Sequence, residues 1–264
     1  MKKNVCVLLV VAFVCCLALT GCGAGTQQAN GDGETGVEVQ VFAAASLTDC
    51  LNEIIALYEK DSADTILPVY EASGTLKKQI EEGADCDIFI SANQKHMNAL
   101  EDAGAVDTDT RKDLLGNGLT LIASEEKAEQ ISSVEDLLSD GVELVAIGEP
   151  SEVPAGQYAQ EMFENLDMWE AIQPKLVFAK NVRAVLSYVD SGDADAGLVY
   201  HTDALLLEHG KIIGDAPADS YTAVYYPAAI MTAAPQPEAA AGFYAFLTTD
   251  EAKAIFEKYG FTAL

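Results

Sequence analysis

From Val37 onward the chain repeats one pattern: a short run of buried-type residues, then a stretch with apolar residues at helical spacing. The strand-like runs are VEVQVFAAA, TILPVYEA, DIFISA, LGNGLTLIAS, ELVAIGE, KLVFA, AGLVY and YYPAAIMTA. Between the first two, residues 47–58 place Leu51, Ile54, Ile55 and Tyr58 on one helical face, and residues 75–82 place Leu76 and Ile80 likewise. Residues 93–103 and 239–259 also read as helices. Strands alternating with helices predict an α/β architecture of mostly parallel sheets covered on both faces. At 264 residues, 50% of them hydrophobic, the chain can bury two cores. Two lobes are expected, one from residues 37–118 with 225–264 and one from 119–224. LTLIA and YYPAAIM are the expected crossings, and a ligand cleft lies between the lobes.

The N-terminus has another character. MKKN is followed by an uncharged apolar run from Val5 to Leu19. That is short for a membrane span and suits the core of a signal peptide over residues 1–21. The Leu19-Thr20-Gly21-Cys22 that follows resembles the lipobox of bacterial lipoproteins, which implies a lipid on Cys22. Residues 23–36 hold five glycines and no large apolar side chain, a flexible tether. The expectation is an exported protein, lipid-anchored on the extracytoplasmic side of the cell membrane. Cys50 and Cys86 are then the cysteines of the folded part, either bridged or buried as free thiols. The absence of a CxxC or Cys/His cluster gives no indication of a zinc site.

The net charge is −27, and −29 once the signal takes Lys2 and Lys3 away. Such a surface repels nucleic acid, and its acids are spread as a solvated skin. Charge alone selects no ligand.

Several strands lead into helix starts rich in small polar residues. VFAAA leads to Ser46-Leu47-Thr48-Asp49, and the second strand to Ser73-Gly74-Thr75; both serines are placed to cap. Pro154 opens a helix whose next residues, Ala155 and Gly156, offer free N–H groups. Asn181 is placed to cap a helix with Val182 just inside. One capped helix is plain structure. Several converging on a cleft make an anion site without any basic side chain, because helix N-termini carry unsatisfied N–H donors and partial positive charge. Tyr200, ending AGLVY, adds a phenolic donor at the same level.

The segments VFAAASLTD, ASGTLKKQIEEGADCDIFISANQ, LLGN, AIGEPSEVPAGQYA, NVRAVLSYVDSGDADAGLVYHTDA and IFEKYGF occur in the order found in another group of proteins. Together they resemble the periplasmic molybdate-binding proteins of ABC transporters, over nearly the whole mature chain. The resemblance implies the two-lobed type II periplasmic-binding-protein fold, and a monomer that captures molybdate or tungstate, uses no cofactor, and delivers the ion to permease subunits. It implies oxyanion contacts from Ser46, Ser73 and Tyr200 hydroxyls and from the Ala155 and Val182 amides. Gly148-Glu149-Pro150 and His201 depart from the common pattern, away from those contacts. Arg183 reads as a brace to an acid rather than a ligand.

The chemistry is consistent. Molybdate is a tetrahedral dianion with acceptors only, so a pocket of donors satisfies it, whereas protonated phosphate needs an acceptor. Sulfate has the same bonding pattern and must be rejected by size. The sequence lacks G-x-S-x-G, a P-loop and G-x-G-x-x-G, which speaks against an enzyme. His96, His201 and His209 form no helical metal pair. Tyr225-Tyr226 suits a ferric-ion receptor only if both rings reach one side, and strand alternation sends them to opposite faces. The alternatives are a receptor for another anion such as sulfate, or a ferric-ion-binding receptor on the same fold.

Overall fold

A computed structural model describes residues 36–264, and all that follows concerns those residues. The apolar N-terminal run, Cys22 and nearly all of the tether lie outside them. Eleven strands are seen: β1 (Glu38–Ala44), β2 (Thr65–Glu71), β3 (Ile88–Ile90), β4 (Lys112–Asn117), β5 (Leu119–Ala123), β6 (Val145–Gly148), β7 (Leu176–Ala179), β8 (Ala196–Tyr200), β9 (Lys211–Asp215), β10 (Val224–Ile230) and β11 (Thr262–Ala263). They build two sheets, ordered β11, β4, β10, β3, β1, β2 and β7, β6, β8, β5, β9. The helices are α1 (Thr48–Tyr58), α2 (Ser73–Glu81), α3 (Gln94–Asp102), α4 (Pro154–Asn165), α5 (Trp169–Ile172), α6 (Val182–Asp190), α7 (His201–Ala204), α8 (Pro237–Phe246) and α9 (Asp250–Lys258). None of them is long and apolar enough to cross a membrane.

Both sheets are mixed. β1 pairs in parallel with β2 and β3, and β6 with β7 and β8, as the strand–helix alternation predicts. β4, β10 and β11 pair antiparallel, as do β5 with β8 and with β9. A parallel neighbour needs a long crossover, and strands joined directly across the two sheets have none. The crossings also differ from expectation. LGNGLTLIAS is not one strand: β4 and β5 belong to different sheets, with Gly118 alone between them. LTLIA and YYPAAIM lie within the sheets, and the chain passes between them at Gly118 and over residues 216–223. Hydrophobic pattern reports burial and not which sheet does the burying.

The helix expected over 239–259 is two. Thr248 and Thr249 turn their hydroxyls back to the carbonyls of Ala245 and Phe246, both at 2.8 Å, and Thr249 then caps α9. Such local bonds compete with helix propagation.

The first sheet is apolar on both faces. Val41, Ala43, Ile88 and Ile90 pack into one cluster, while their strand neighbours Phe42 and Phe89 pack with Leu76, Met97 and Leu100 in another. Period-two alternation inside a continuous apolar run is what a sheet covered on both faces requires. Cys50 and Cys86 are buried free thiols and are not bridged; burial pushes the Cys86 thiol up to about 12. The buried Asp87 accepts the N–H groups of Gln40 and Gln236, bracing the turn before β3.

Candidate ligand-binding cavity

The ends of β1, β2, β6, β7 and β8 point into the gap between the sheets, and each lays down one element of a small cavity. Ser46 sits in a single 3-10 turn, Ala45–Leu47, ahead of α1. Ser73 is the first residue of α2, Ala155 the second of α4 and Val182 the first of α6; Tyr200 ends β8. The structure brings all five together around a cavity of only about 10 Å³. That is far below the range of roughly 300–1,000 Å³ typical of pockets for drug-sized organic ligands. None of the five is more than 4% exposed, so the cavity is closed over.

Close backbone approach makes this possible. A Cβ on Gly156 would lie 1.9 Å from the carbonyl oxygen of Gly148, so α4 can start this near the end of β6 only with glycine there. A Cβ on Gly74 would meet the Glu152 carbonyl oxygen of the facing lobe at 2.6 Å. Instead the Gly74 N–H donates to that oxygen at 2.9 Å.

Neither serine caps a helix. Ala44 and Ala72 hold the cap positions, without side-chain bonds. The Ser73 hydroxyl accepts from the Ala92 N–H at 3.0 Å, and that of Ser46 pairs with Tyr226 Oη at 2.9 Å. Asn181 does cap α6, accepting from the Ala184 N–H at 3.0 Å. The amides of Ser73, Ala155 and Val182 are among the first of their helices and have no acceptor within them. Tyr200 is fully buried, and burial raises its phenol well above the ordinary value, so it keeps its proton. It donates that proton to the Ala92 carbonyl at 3.3 Å, across the gap between lobes.

No lysine, arginine or histidine lines the cavity. One acid does: Glu71, whose carboxylate takes the Asn181 amide at 3.0 Å and lies 3.8 Å from Lys180. The sequence reading did not single out Glu71, although its place two residues before Ser73 was the available signal. Asn181 is thereby both a helix cap and a grip on the opposite lobe. Two more side-chain contacts span the gap, Asn93 to Gln157 at 3.0 Å and Lys78 to Glu152 at 2.5 Å. The sequence pattern gave no sign of these partners.

One cation lies just behind the cavity wall. Arg183 lies 2.6 Å from Asp203 and 2.7 Å from Asp49, and it donates to the Ser46 carbonyl at 3.3 Å. The two carboxylate contacts are close ion pairs set off the line of an ideal hydrogen bond. Tyr225 and Tyr226 do face opposite ways, 40% and 0% exposed, so they cannot share one metal ion. Away from the cavity, Asp190, Glu208 and His209 gather ligand-type atoms within 4.8 Å of one another at the surface. Asp190 there already accepts two backbone N–H groups.

The sequence profile of bacterial extracellular solute-binding proteins matches residues 39–262. The chain belongs to that family. Among relatives of this solute-binding protein, YvgL of Bacillus subtilis (strain 168) is 38% identical over 97% of both chains; its name assigns it provisionally to the ABC transporter substrate-binding lipoproteins. The molybdate-binding protein ModA of Escherichia coli (strain K12) is 37% identical, over 85% of this chain and 89% of its own. A solved substrate-binding domain from Clostridium difficile, provisionally of a molybdenum ABC transporter, superposes with a TM-score of 0.67 at 39% identity. The match covers 87% of this chain and all of that one. These relatives are named for solute binding or for ABC transport.

Proposed function

We propose that this solute-binding protein captures molybdate between its lobes and delivers it to the permease of an ABC transporter, with tungstate accepted by the same pocket. The observation that carries the reading is a sealed cavity walled by hydroxyl groups and helix-start amides, with no cationic side chain in its lining. The Escherichia coli relative, a molybdate-binding protein by name, supports the choice of ion.

Ser46 and Ser73 donate through their hydroxyls, and Ala155 and Val182 through their N–H groups. Tyr200 turns its proton from the Ala92 carbonyl to the ion. Three helix N-termini add favourable potential, each about 0.3–1 kcal/mol in exposed settings and up to about 2 kcal/mol when partly buried. Glu71 opposes them; its Oε2 accepts from Asn181, and its Oε1 lies 3.8 Å from Lys180. A protonated phosphate would bring a donor to a wall of donors. Sulfate satisfies the donors but is smaller, so preset groups meet its oxygens at longer range.

The proposal extends to an exported protein held at the membrane by a lipid on Cys22, acting as a monomer, without a cofactor and without catalytic activity. Its lobes comprise residues 37–118 with 225–264, and 119–224, and they part and close about the two crossings.

Calorimetry with molybdate, tungstate, sulfate and phosphate side by side is the deciding experiment. Molybdate and tungstate bind tightly, and sulfate and phosphate bind far more weakly. At 100 times its Kd, molybdate stabilises the fold by about 2.7 kcal/mol, read as a rise in Tm. Equal binding of phosphate and molybdate would overturn the reading.

A further inference from the structure

Asn117 lies beside the Gly118 crossing, and its side-chain orientation is fixed. Its Oδ1 accepts the Gly118 N–H at 2.9 Å. Its Nδ2 then faces Thr202 Oγ1 of the other lobe at 3.0 Å and Tyr226 Oη at 3.3 Å. An amide nitrogen carries two hydrogens and accepts nothing, so both bonds run outward from Asn117. The Tyr226 oxygen therefore receives a hydrogen, and its own proton goes on to Ser46 Oγ, 2.9 Å away. Ser46 Oγ receives in turn. Its proton has no acceptor among the described residues, and Ser46 lines the cavity. Ser73 reaches the same condition by a shorter route, since its oxygen is taken by the Ala92 N–H.

Resting on the oxyanion reading above, we propose that Asn117 and Tyr226 are positioning residues that set ligand specificity: they form a one-way relay, Asn117 to Tyr226 to Ser46, that forces Ser46 to act as a donor. A serine hydroxyl is ordinarily ambivalent, able to accept from a protonated ligand by turning its hydrogen elsewhere. Here it has nowhere to turn. Tyr226 Oη already points a hydrogen at it, and Tyr226 cannot reverse because Asn117 offers only another hydrogen. Reversal at Asn117 would set its oxygen against Tyr226 and its NH2 against the Gly118 N–H. Rejection of a protonated anion thus begins two groups behind the wall. Tyr226 has no exposure and Thr202 only 5%, so water does not supply a substitute partner. The bond from Asn117 to Thr202 joins the two lobes, while the three relay residues all belong to one of them.

Asn117→Asp is the direct test. The new carboxylate accepts only, so Tyr226 donates to it, Ser46 donates to Tyr226, and a Ser46 lone pair faces the cavity. Affinities for molybdate, sulfate and phosphate are measured at a pH where phosphate is the monoprotonated dianion. The added charge repels all three dianions alike, so the ratios report the relay. The expected result is that molybdate and sulfate weaken together while phosphate weakens less. The phosphate-to-molybdate ratio then shifts about tenfold or more, the scale of one hydrogen bond made or lost. Tyr226→Phe removes one oxygen and serves if Asn117→Asp does not fold; molybdate then weakens about tenfold and phosphate does not fall with it. If every folded variant loses all three anions by a common factor, the relay is overturned. If the wild-type protein itself binds phosphate as well as molybdate, the proposed function fails first, and the relay with it.

Discussion

Arg183 Nε lies 2.6 Å from Oδ1 of Asp203, a carboxylate with no solvent exposure, while the same guanidinium reaches Asp49 on α1 of the facing lobe at 2.7 Å. One planar cation thus ties α7, α6 and α1 together. It also steadies the turn carrying Ser46 without touching the cavity. Arg183→Ala leaves a buried acid uncompensated and is expected to cost about 3–5 kcal/mol in urea unfolding. Arg183→Lys recovers only part, because a point ammonium cannot span three acceptors in a plane.

Burial pushes the Asp203 carboxyl up to about 7, against the opposing pull of Arg183. A raised carboxyl binds its proton more tightly in the folded state than in the unfolded one. Its contribution to stability is therefore fully present below about pH 4 and is lost as pH rises through 7. Unfolding free energy measured from pH 4 to 8 should carry this falling component. Asp203→Asn should flatten it, and an unchanged slope in that variant would assign the titration elsewhere.

Gly74 donates its N–H to Glu152 where a side chain would collide with backbone. Gly74→Ala should leave the melting temperature of the ligand-free protein within a few degrees, because each lobe keeps its own core. Binding should weaken by about tenfold or more, since closure must leave a gap at this point. A variant with wild-type affinity would mean that the closed form tolerates the displacement.

Ser73 serves the cavity and also the wall behind it. Ser73→Ala strands the buried Ala92 N–H, so a stability loss of about 1–3 kcal/mol should accompany the loss of affinity. Ser73→Cys, which keeps a weak acceptor, should restore more of the stability than of the binding. Thermal denaturation and calorimetry on the same samples separate the two.

The sequence displayed the strand ends and the helix starts well, because apolar runs and small polar residues mark them locally. Ser46, Ser73, Ala155, Val182 and Tyr200 could be singled out for that reason, and the structure gathers them around one space. The roles inside the wall were not visible. Ser46 and Ser73 looked like caps, yet their oxygens are claimed by Tyr226 and Ala92, partners 180 and 19 residues away. The Arg183 brace was foreseeable in kind, whereas its partners Asp49 and Asp203 were not. Glu71, Gln157 and Glu152 find partners across the gap, as does Asn93, which also caps α3, and no periodicity along one chain encodes a partner on the opposing lobe. The split of residues 239–259 into α8 and α9 turned on two threonine hydroxyls bonding to the preceding turn, a preference that apolar spacing does not register.

The cavity is nearly shut off: its five candidate contact residues are at most 4% exposed, and Gly74, Asn93 and Asn181 bond straight across the seam. On the proposed function, an ion held there escapes no faster than the seam unzips. Its residence time becomes a property of the hinge, and a transporter that pulls the seam apart sets the moment of unloading without competing for the ion at all.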